Sequence, residues 1–441
     1  MKVLARLLLF FAFASATIVS YSQTAAKSGK AVPQIVSVIP TVQPESAGMS
    51  SERLKRIDDN INAWIATGKL PGAVALIIRN GKVVYHKAFG FQDLEKTKAM
   101  KTDNIFRIAS QTKAITSAAV LMLYEEGKFM LDEPVSRYIP EFAKPQVLDK
   151  FNEADSTYTT IPAKREVTIR DLLTHTSGIG YAGIGSKEAN AIYSKADISS
   201  GIGVEVGRLL ANDIKKLGKM PLLHHPGEKW TYGLNTDVLG YLVEVVSGQS
   251  LDEFFRKRIF EPLGMNDTYF YLPPSKYDRL VPLNQEEKGV LKSPEEIVQN
   301  GKFIVAYPKT QGTYFSGGAG LSSTAMDYAI FLQMILNGGE YKGKRLLSRN
   351  VVRMMTMNQI GDLGFGNNNN KFGLGFGITS ERGSSILPTP AGTFEWGGAF
   401  STSYWADPKE KIVAIFYRQL WGSTIGDISG KFKVLVYQAV E

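Results

Sequence analysis

The sequence predicts an α/β (α+β) chain with antiparallel strands at both ends and a mostly helical middle. Three observations carry this. Near the start, two apolar, β-branched-rich runs, Gly72–Arg79 and Lys82–Gly90, are joined by Asn80-Gly81, the strongest short hairpin signal. Near the end, Thr393–Ala406 and Lys411–Gln419 form a second strand pair around the turn Asp407-Pro408-Lys409-Glu410. Between about residues 110 and 360, apolar side chains recur close to every 3.6 positions.

In chain order, Lys2 and Arg6 precede an apolar run from Leu7 to Val19, followed by small and polar residues including Ser20-Tyr21-Ser22-Gln23. That is the layout of a secretory signal peptide, with cleavage near Ser22. A run of this length does not comfortably span a bilayer. The expectation is therefore an exported protein, periplasmic or secreted, with residues 1–22 as signal, 23–42 as a flexible lead-in and 43–441 as one body. After the first hairpin, helices are expected at Ser110–Glu126, Thr236–Ser247, Leu251–Arg258 and Thr324–Asn337, with a closing helix near Ile428–Ala439. Gly361–Gly377, which includes Asn367–Asn370, reads as a surface loop or turn, and no internal repeat is visible.

Composition narrows the chemistry. With 441 residues, 44% of them apolar and 21% charged, the chain can bury a large core, which excludes wholesale disorder. It has no cysteine, so disulfides, thiolate nucleophiles and cysteine-ligated metals are excluded together. His224-His225, two of only four histidines, sit in a turn-like His-His-Pro-Gly run without the i, i+4 spacing of a helical metal site. Neither metal nor cofactor is expected. The net charge of +9 falls by two once Lys2 and Arg6 leave with the signal, and the excess is scattered, so nucleic acid is not an expected partner.

No G-x-S-x-G elbow is present, so a nucleophilic serine needs another means of activation. Ser-x-x-Lys occurs once, as Ser110-Gln111-Thr112-Lys113. Chance alone supplies about two such tetrapeptides in this length, so its context matters more than its presence. It opens a helix patterned by Ile115, Ala118, Ala119, Met122 and Leu123 and stopped by Gly127, after the apolar-patterned Phe106-Arg107-Ile108-Ala109. Residues three apart share a helix face, which sets the Lys113 amine beside the Ser110 hydroxyl. The helix N-terminus adds unpaired N–H groups and a positive local potential. Together these describe an activated nucleophile. On the tetrapeptide alone, a helix-capping serine with a solvated lysine is as good a reading.

Two further segments resolve this by resemblance. Ser110–Lys113, then Pro226-Gly227-Glu228-Lys229-Trp230-Thr231-Tyr232, then Glu395-Trp396-Gly397-Gly398-Ala399 resemble, in order, the serine β-lactamase and penicillin-binding superfamily. The match is to its class C branch and the β-lactamase-like carboxylesterases. Leu172–Gly178, Asp237–Gly240 through Ser247-Gly248, Pro262–Met265 and Gly317–Ser323 extend the likeness over about residues 43–440. The resemblance implies an antiparallel sheet built from both chain ends and flanked by helices, with a mostly helical subdomain inserted at about 125–310. It also implies an acyl-enzyme on Ser110, with Lys113 as proton partner and Tyr232 as second general base and acid. The backbone N–H groups of Ser110 and Ala399 would form the oxyanion hole, and Trp396, Gly397, Gly398 and Asn235 would meet the substrate.

Departures from the pattern bear on substrate. Lactam-hydrolysing members carry Tyr-x-Asn and Lys-Thr-Gly, whereas here Asn235 falls one place late and Trp396 stands where the lysine would be. The cation for a lactam carboxylate is missing, and an indole offers stacking area and one donor instead. The expected substrate is an uncharged small-molecule ester, with lactam or D-amino-acid peptide hydrolysis, or acyl-ligand binding without turnover, as alternatives. Lys27-Ser28-Gly29 imitates the lost triplet but lies in the lead-in, and Gly178–Gly183 fits G-x-G-x-x-G without a preceding strand. His175 is expected to brace a loop, Asp171 to cap a helix, and Tyr314, Phe315 and Tyr404 to line the groove or fill the core.

Overall fold

The computed structural model describes residues 39–298, 302–422 and 427–441, so the expected signal peptide and the Lys27-Ser28-Gly29 triplet lie outside the described residues. The elements used below are α1 (Ser51–Ala66), β1 (Gly72–Arg79), β2 (Lys82–Gly90), α2 (Thr112–Glu125), α3 (Asn235–Ser247) and α4 (Ala325–Leu336). Past these come β3 (Lys371–Phe372), β4 (Gly377–Ile378), β5 (Phe394–Gly398), β6 (Thr402–Asp407), β7 (Ile412–Tyr417) and α5 (Ile428–Tyr437).

β1 is buried along its whole length because it has a core on each face. Its alternate side chains divide between them, as the two-residue strand period requires. Ala73, Ala75 and Ile77 pack with α1 and with Phe432 and Val436 of α5, while Val74, Leu76 and Ile78 pack with α2 and α4. The Asn80-Gly81 turn forms as expected, with φ of 52° and 72°. Pairing of β1 with β7, from Val74 opposite Tyr417 to Arg79 opposite Ile412, joins the two ends of the chain. The result is a seven-stranded antiparallel sheet in the order β3-β4-β5-β6-β7-β1-β2. Helices cover both faces, which agrees with the predicted fold class.

Several local expectations are corrected. Thr393–Ala406 is two strands rather than one, because the chain turns at Ala399–Ser401. There the Ser401 N–H donates to the Gly398 carbonyl at 3.1 Å and Ser401 takes φ 62°. No Asn-Gly or Asp-Gly pair marks that turn in the sequence. Gly361–Gly377 is not all surface loop, since it contributes β3 and buries Phe372, Leu374 and Phe376. The lead-in ends before Val42, because Ile39 is buried and Thr41 bridges Val83. The region between α2 and α4 also holds hairpins, Gln146–Phe151 with Tyr158–Pro162 and Asn284–Glu287 with Val290–Lys292, beside its helices. Finally, α2 begins at Thr112 rather than Ser110 and is buried on every face over Thr112–Leu123, because sheet and helical region sandwich it.

Candidate active site

Ser110 stands on a braced turn. Phe106–Arg107 pairs with Ser322–Ser323, and Ala109–Gln111 follows as a 3-10 turn leading into α2. Ala109 is held at φ 43°, a left-handed backbone that costs a non-glycine residue on the order of 1 kcal/mol. Three hydrogen bonds hold the turn: Tyr417 Oη–H to Gln111 Oε1 at 2.7 Å, Tyr328 Oη–H to the Gln111 carbonyl at 2.8 Å, and Leu321 N–H to Thr112 Oγ1 at 3.1 Å.

Lys113 lies one turn inward and is 2% exposed. Its Nζ is 2.9 Å from Tyr181 Oη, 2.8 Å from the Gly318 carbonyl oxygen and 3.4 Å from Ser110 Oγ. An ammonium group has three protons, and each has an acceptor here. Tyr232 Oη lies 2.7 Å from Ser110 Oγ, and its ring centroid is 4.8 Å from Lys113 Nζ. The three residues expected to carry the reaction therefore converge on one hydroxyl.

Tyr181 was not anticipated. It belongs to the glycine-rich run read as a dinucleotide look-alike, where a side chain on Gly178 would collide with the His224 carbonyl and one on Gly180 with Ala189. A side chain on Gly233 would collide with the Ile179 carbonyl, and Leu234 N–H donates to the Gly180 carbonyl at 3.0 Å. This close approach sets the Tyr181 ring 5.3 Å from that of Tyr232. Burial, then the neighbouring Tyr232, holds the Tyr181 phenol well above its ordinary pKa, so it stays neutral and can accept from the lysine. An aromatic hydroxyl inside a glycine run is the only sequence signal that could have pointed to it.

Asn235 is a correction. Expected to meet the substrate, it is fully buried, its Oδ1 accepting from Ser177 Oγ and its Nδ2 lying 2.9 Å from His175 Nδ1. The one-residue displacement from Tyr-x-Asn turns the amide inward, behind Tyr232. His175, at φ 58°, braces this loop as expected. Burial, and then the charge of Lys113, holds its pKa well below the ordinary value, which leaves a neutral ring to accept from Asn235. Asn235→Ala should accordingly cost about 2–3 kcal/mol, because two buried polar partners lose their mates. Thermal melts check this: a variant as stable as wild type would mean that the network is not holding the loop.

Trp396 is half-buried, with its Nε1 3.4 Å from Tyr232 Oη and its ring 5.4 Å from Phe372 and 5.7 Å from Phe365. The indole thus gives its N–H to the tyrosine, where the sequence suggested stacking area and a donor for substrate. Gly398 packs against the Ile108 carbonyl so closely that a side chain would collide with it, which fixes β5 beside the nucleophile turn. The ladder with β4 covers Phe394 and Glu395 and stops there, leaving the Trp396–Gly398 edge past its end. Gly397 is exposed and faces Ser403 on β6. Tyr314 and Tyr404 prove to be core residues.

Ser110, Tyr232 and Ala399 open on one cavity of about 320 Å³. Ile198, Ile202, Val204, Ile297, Phe303 and Trp421 give it an apolar wall, and Asp197, Glu205 and Arg208 also line it. That Arg208 charge is already met by Asp213 at 3.0 Å and Asp197 at 3.1 Å. The apolar wall is what suits an uncharged group. At about 30 Å³ per non-hydrogen atom, the share of a water molecule in the liquid, the cavity holds on the order of ten atoms.

A two-faced antiparallel sheet with a helical region, and a serine, lysine and tyrosine gathered where they meet, define the class of β-lactamase-fold hydrolases. The family model described as Beta-lactamase matches residues 57–429, and the chain belongs to that family. It is 32% identical over 397 residues to Esterase EstB of Burkholderia gladioli, covering 87% of this chain and 94% of that one. To the lovastatin esterase of Penicillium rubens it is 35% identical over 286 residues, covering 64% of this chain and 68% of the other. Among solved structures, EstCE1, a hydrolase with promiscuous acyltransferase activity, is similar with a TM-score of 0.74 at 26% identity, over 88% of this chain and 98% of that one.

Proposed function

We propose that the protein is an exported carboxylesterase that works through an acyl-enzyme on Ser110. The observation that carries this reading is the placement of Ser110 Oγ, 2.7 Å from Tyr232 Oη and 3.4 Å from Lys113 Nζ, in the lining of a cavity with an apolar wall. Ser110 Oγ attacks the ester carbonyl while its proton passes to the Tyr232–Lys113 pair. The developing oxyanion is met by the backbone N–H groups of Ser110 and Ala399. The C–O bond to the alcohol breaks, the alcohol leaves with that proton, and a water deacylates the serine by the reverse traffic. The charged and apolar leader within residues 1–22 supports export.

Esters are favoured over lactams by what stands at position 396. A cation there would meet the carboxylate beside a lactam nitrogen, a charge-assisted bond typically worth about 1.5–3 kcal/mol, or roughly 10–150-fold. An indole cannot supply it. Wild type should therefore show a higher kcat/KM for p-nitrophenyl butyrate than for a chromogenic cephalosporin, and Trp396→Lys should move the ratio toward the lactam. Absolute ester turnover should drop in the variant, because Tyr232 loses the indole N–H. A wild type that prefers the cephalosporin, or a ratio the substitution leaves alone, removes the ester preference and leaves the broader serine-hydrolase reading.

A further inference from the structure

One buried charge near the site has no part in the chemistry described so far. Asp237, on α3, is 1% exposed. Its Oδ1 accepts from Ser316 Oγ–H at 2.6 Å and from Gly318 N–H at 3.3 Å, while Oδ2 has no hydrogen-bond partner among the described residues. Among the described residues it makes no ion pair within 4.0 Å. Asp213, another buried carboxylate of this region, has Arg208 at 3.0 Å. A buried carboxylate without a cation is expensive, and one oxygen left bare is an uncommon arrangement.

The loop that Asp237 holds is the one that holds Lys113. Gly318 gives its N–H to Asp237 and its carbonyl to Lys113 Nζ at 2.8 Å. Ser316 Oγ, bonded to Asp237, also accepts from Ala319 N–H at 3.0 Å, which fixes the next residue along the cavity wall. A side chain on Gly318 would press into Asp237 Oδ2, so glycine is what lets the loop close on both groups.

We propose that Asp237 is the buried counter-charge of Lys113 and the positioning residue that keeps its ammonium group aimed at Ser110, acting through the Ser316–Gly318 loop. This rests on the reading of Ser110 and Lys113 as the reacting pair. Around Asp237 the titratable groups are Lys113, Tyr181, Tyr314 and Asp213; around Lys113 they are Asp237, Tyr181, Tyr232 and His175. Burial keeps Tyr181, Tyr314 and His175 neutral, and Asp213 is answered by Arg208. Burial holds the Asp237 carboxyl above its ordinary range, and the charge of Lys113 is the largest influence opposing that rise, which ties these two groups to one another.

The test is Asp237→Asn, which keeps an acceptor for Ser316 and removes the charge. kcat/KM for p-nitrophenyl butyrate is followed across pH in both proteins. Without the anion the site sheds its proton more readily, so the acid limb should move to lower pH by about one unit, with a loss of about ten-fold or more on the plateau. A variant with the wild-type limb and rate overturns the proposal. So does a rate that falls equally at every pH, since that is a brace without a charge role. A second measurement needs no substrate and covers a poorly folding variant: the melting temperature of Lys113→Met/Asp237→Asn against the two single variants. Each single change strands one buried charge, so the double variant should melt above both. Losses that merely add overturn the proposal. Should wild type fail to hydrolyse esters, the function reading fails while these melts still judge Asp237.

Discussion

Ser110→Ala is expected to abolish both covalent labelling by a fluorophosphonate and ester hydrolysis, with the fold intact. The hydroxyl lines the cavity, 2.7 Å from Tyr232 Oη and 3.4 Å from Lys113 Nζ, where both groups can take its proton as it attacks. Removing it closes the covalent route, and the loss in kcat should be on the order of 10³-fold or more. Stability should hardly change. Lys113 keeps Tyr181 Oη and the Gly318 carbonyl, Tyr232 keeps the Trp396 N–H, and the nucleophile turn is held through Gln111 and Thr112. The cost of the lost hydroxyl should be about 1 kcal/mol. Intact mass before and after labelling, a thermal melt and a turnover assay on the same preparation check all three claims. Undiminished turnover in the purified variant would place the nucleophile elsewhere.

The parts of the fold and site that were legible in the sequence are those whose cause is local or whose motif is contiguous. Asn80-Gly81 marked the first hairpin because a tight turn with two positive φ angles admits few residues. Ser110 and Lys113 were found together because a three-residue spacing is itself a statement of geometry, and Tyr232 and Trp396 came with motifs read by resemblance. What remained hidden depends on distant partners. Tyr181 reaches Lys113 only because Gly233 admits the Ile179 carbonyl. Asn235 faces inward because Ser177 and His175 occupy its amide, a fact about a loop in another part of the chain. Phe372 reads as part of a polar loop until β4 and the Trp396 ring are there to cover it. The turn at Ala399–Ser401 escaped because Ser401 adopts a positive φ that the sequence does not advertise with glycine or asparagine.

Lys113→Ala and Tyr232→Phe should each slow acylation by about 10²–10⁴-fold, and the double variant should lose much less than the product of the two. The geometry gives the reason. Tyr232 Oη is the nearer group to the Ser110 oxygen, at 2.7 Å, while Lys113 Nζ stands 3.4 Å from that oxygen and 4.8 Å from the Tyr232 ring centroid. A phenolate that takes the serine proton needs a neighbouring ammonium to offset its charge, and the lysine acts on the serine mainly while that phenolate oxygen is there. Once either is gone, the other has little left to contribute, which is the behaviour of groups that work as a unit. Lys113→Ala also strips Tyr181 and the Gly318 carbonyl of their donor, so melting curves are needed to separate lost chemistry from lost structure. Burst rates with p-nitrophenyl butyrate on wild type, both single variants and the double variant complete the cycle. Strictly multiplicative losses would mean that lysine and tyrosine are independent supports, and the shared proton path would have to be given up even with Ser110 retained as nucleophile.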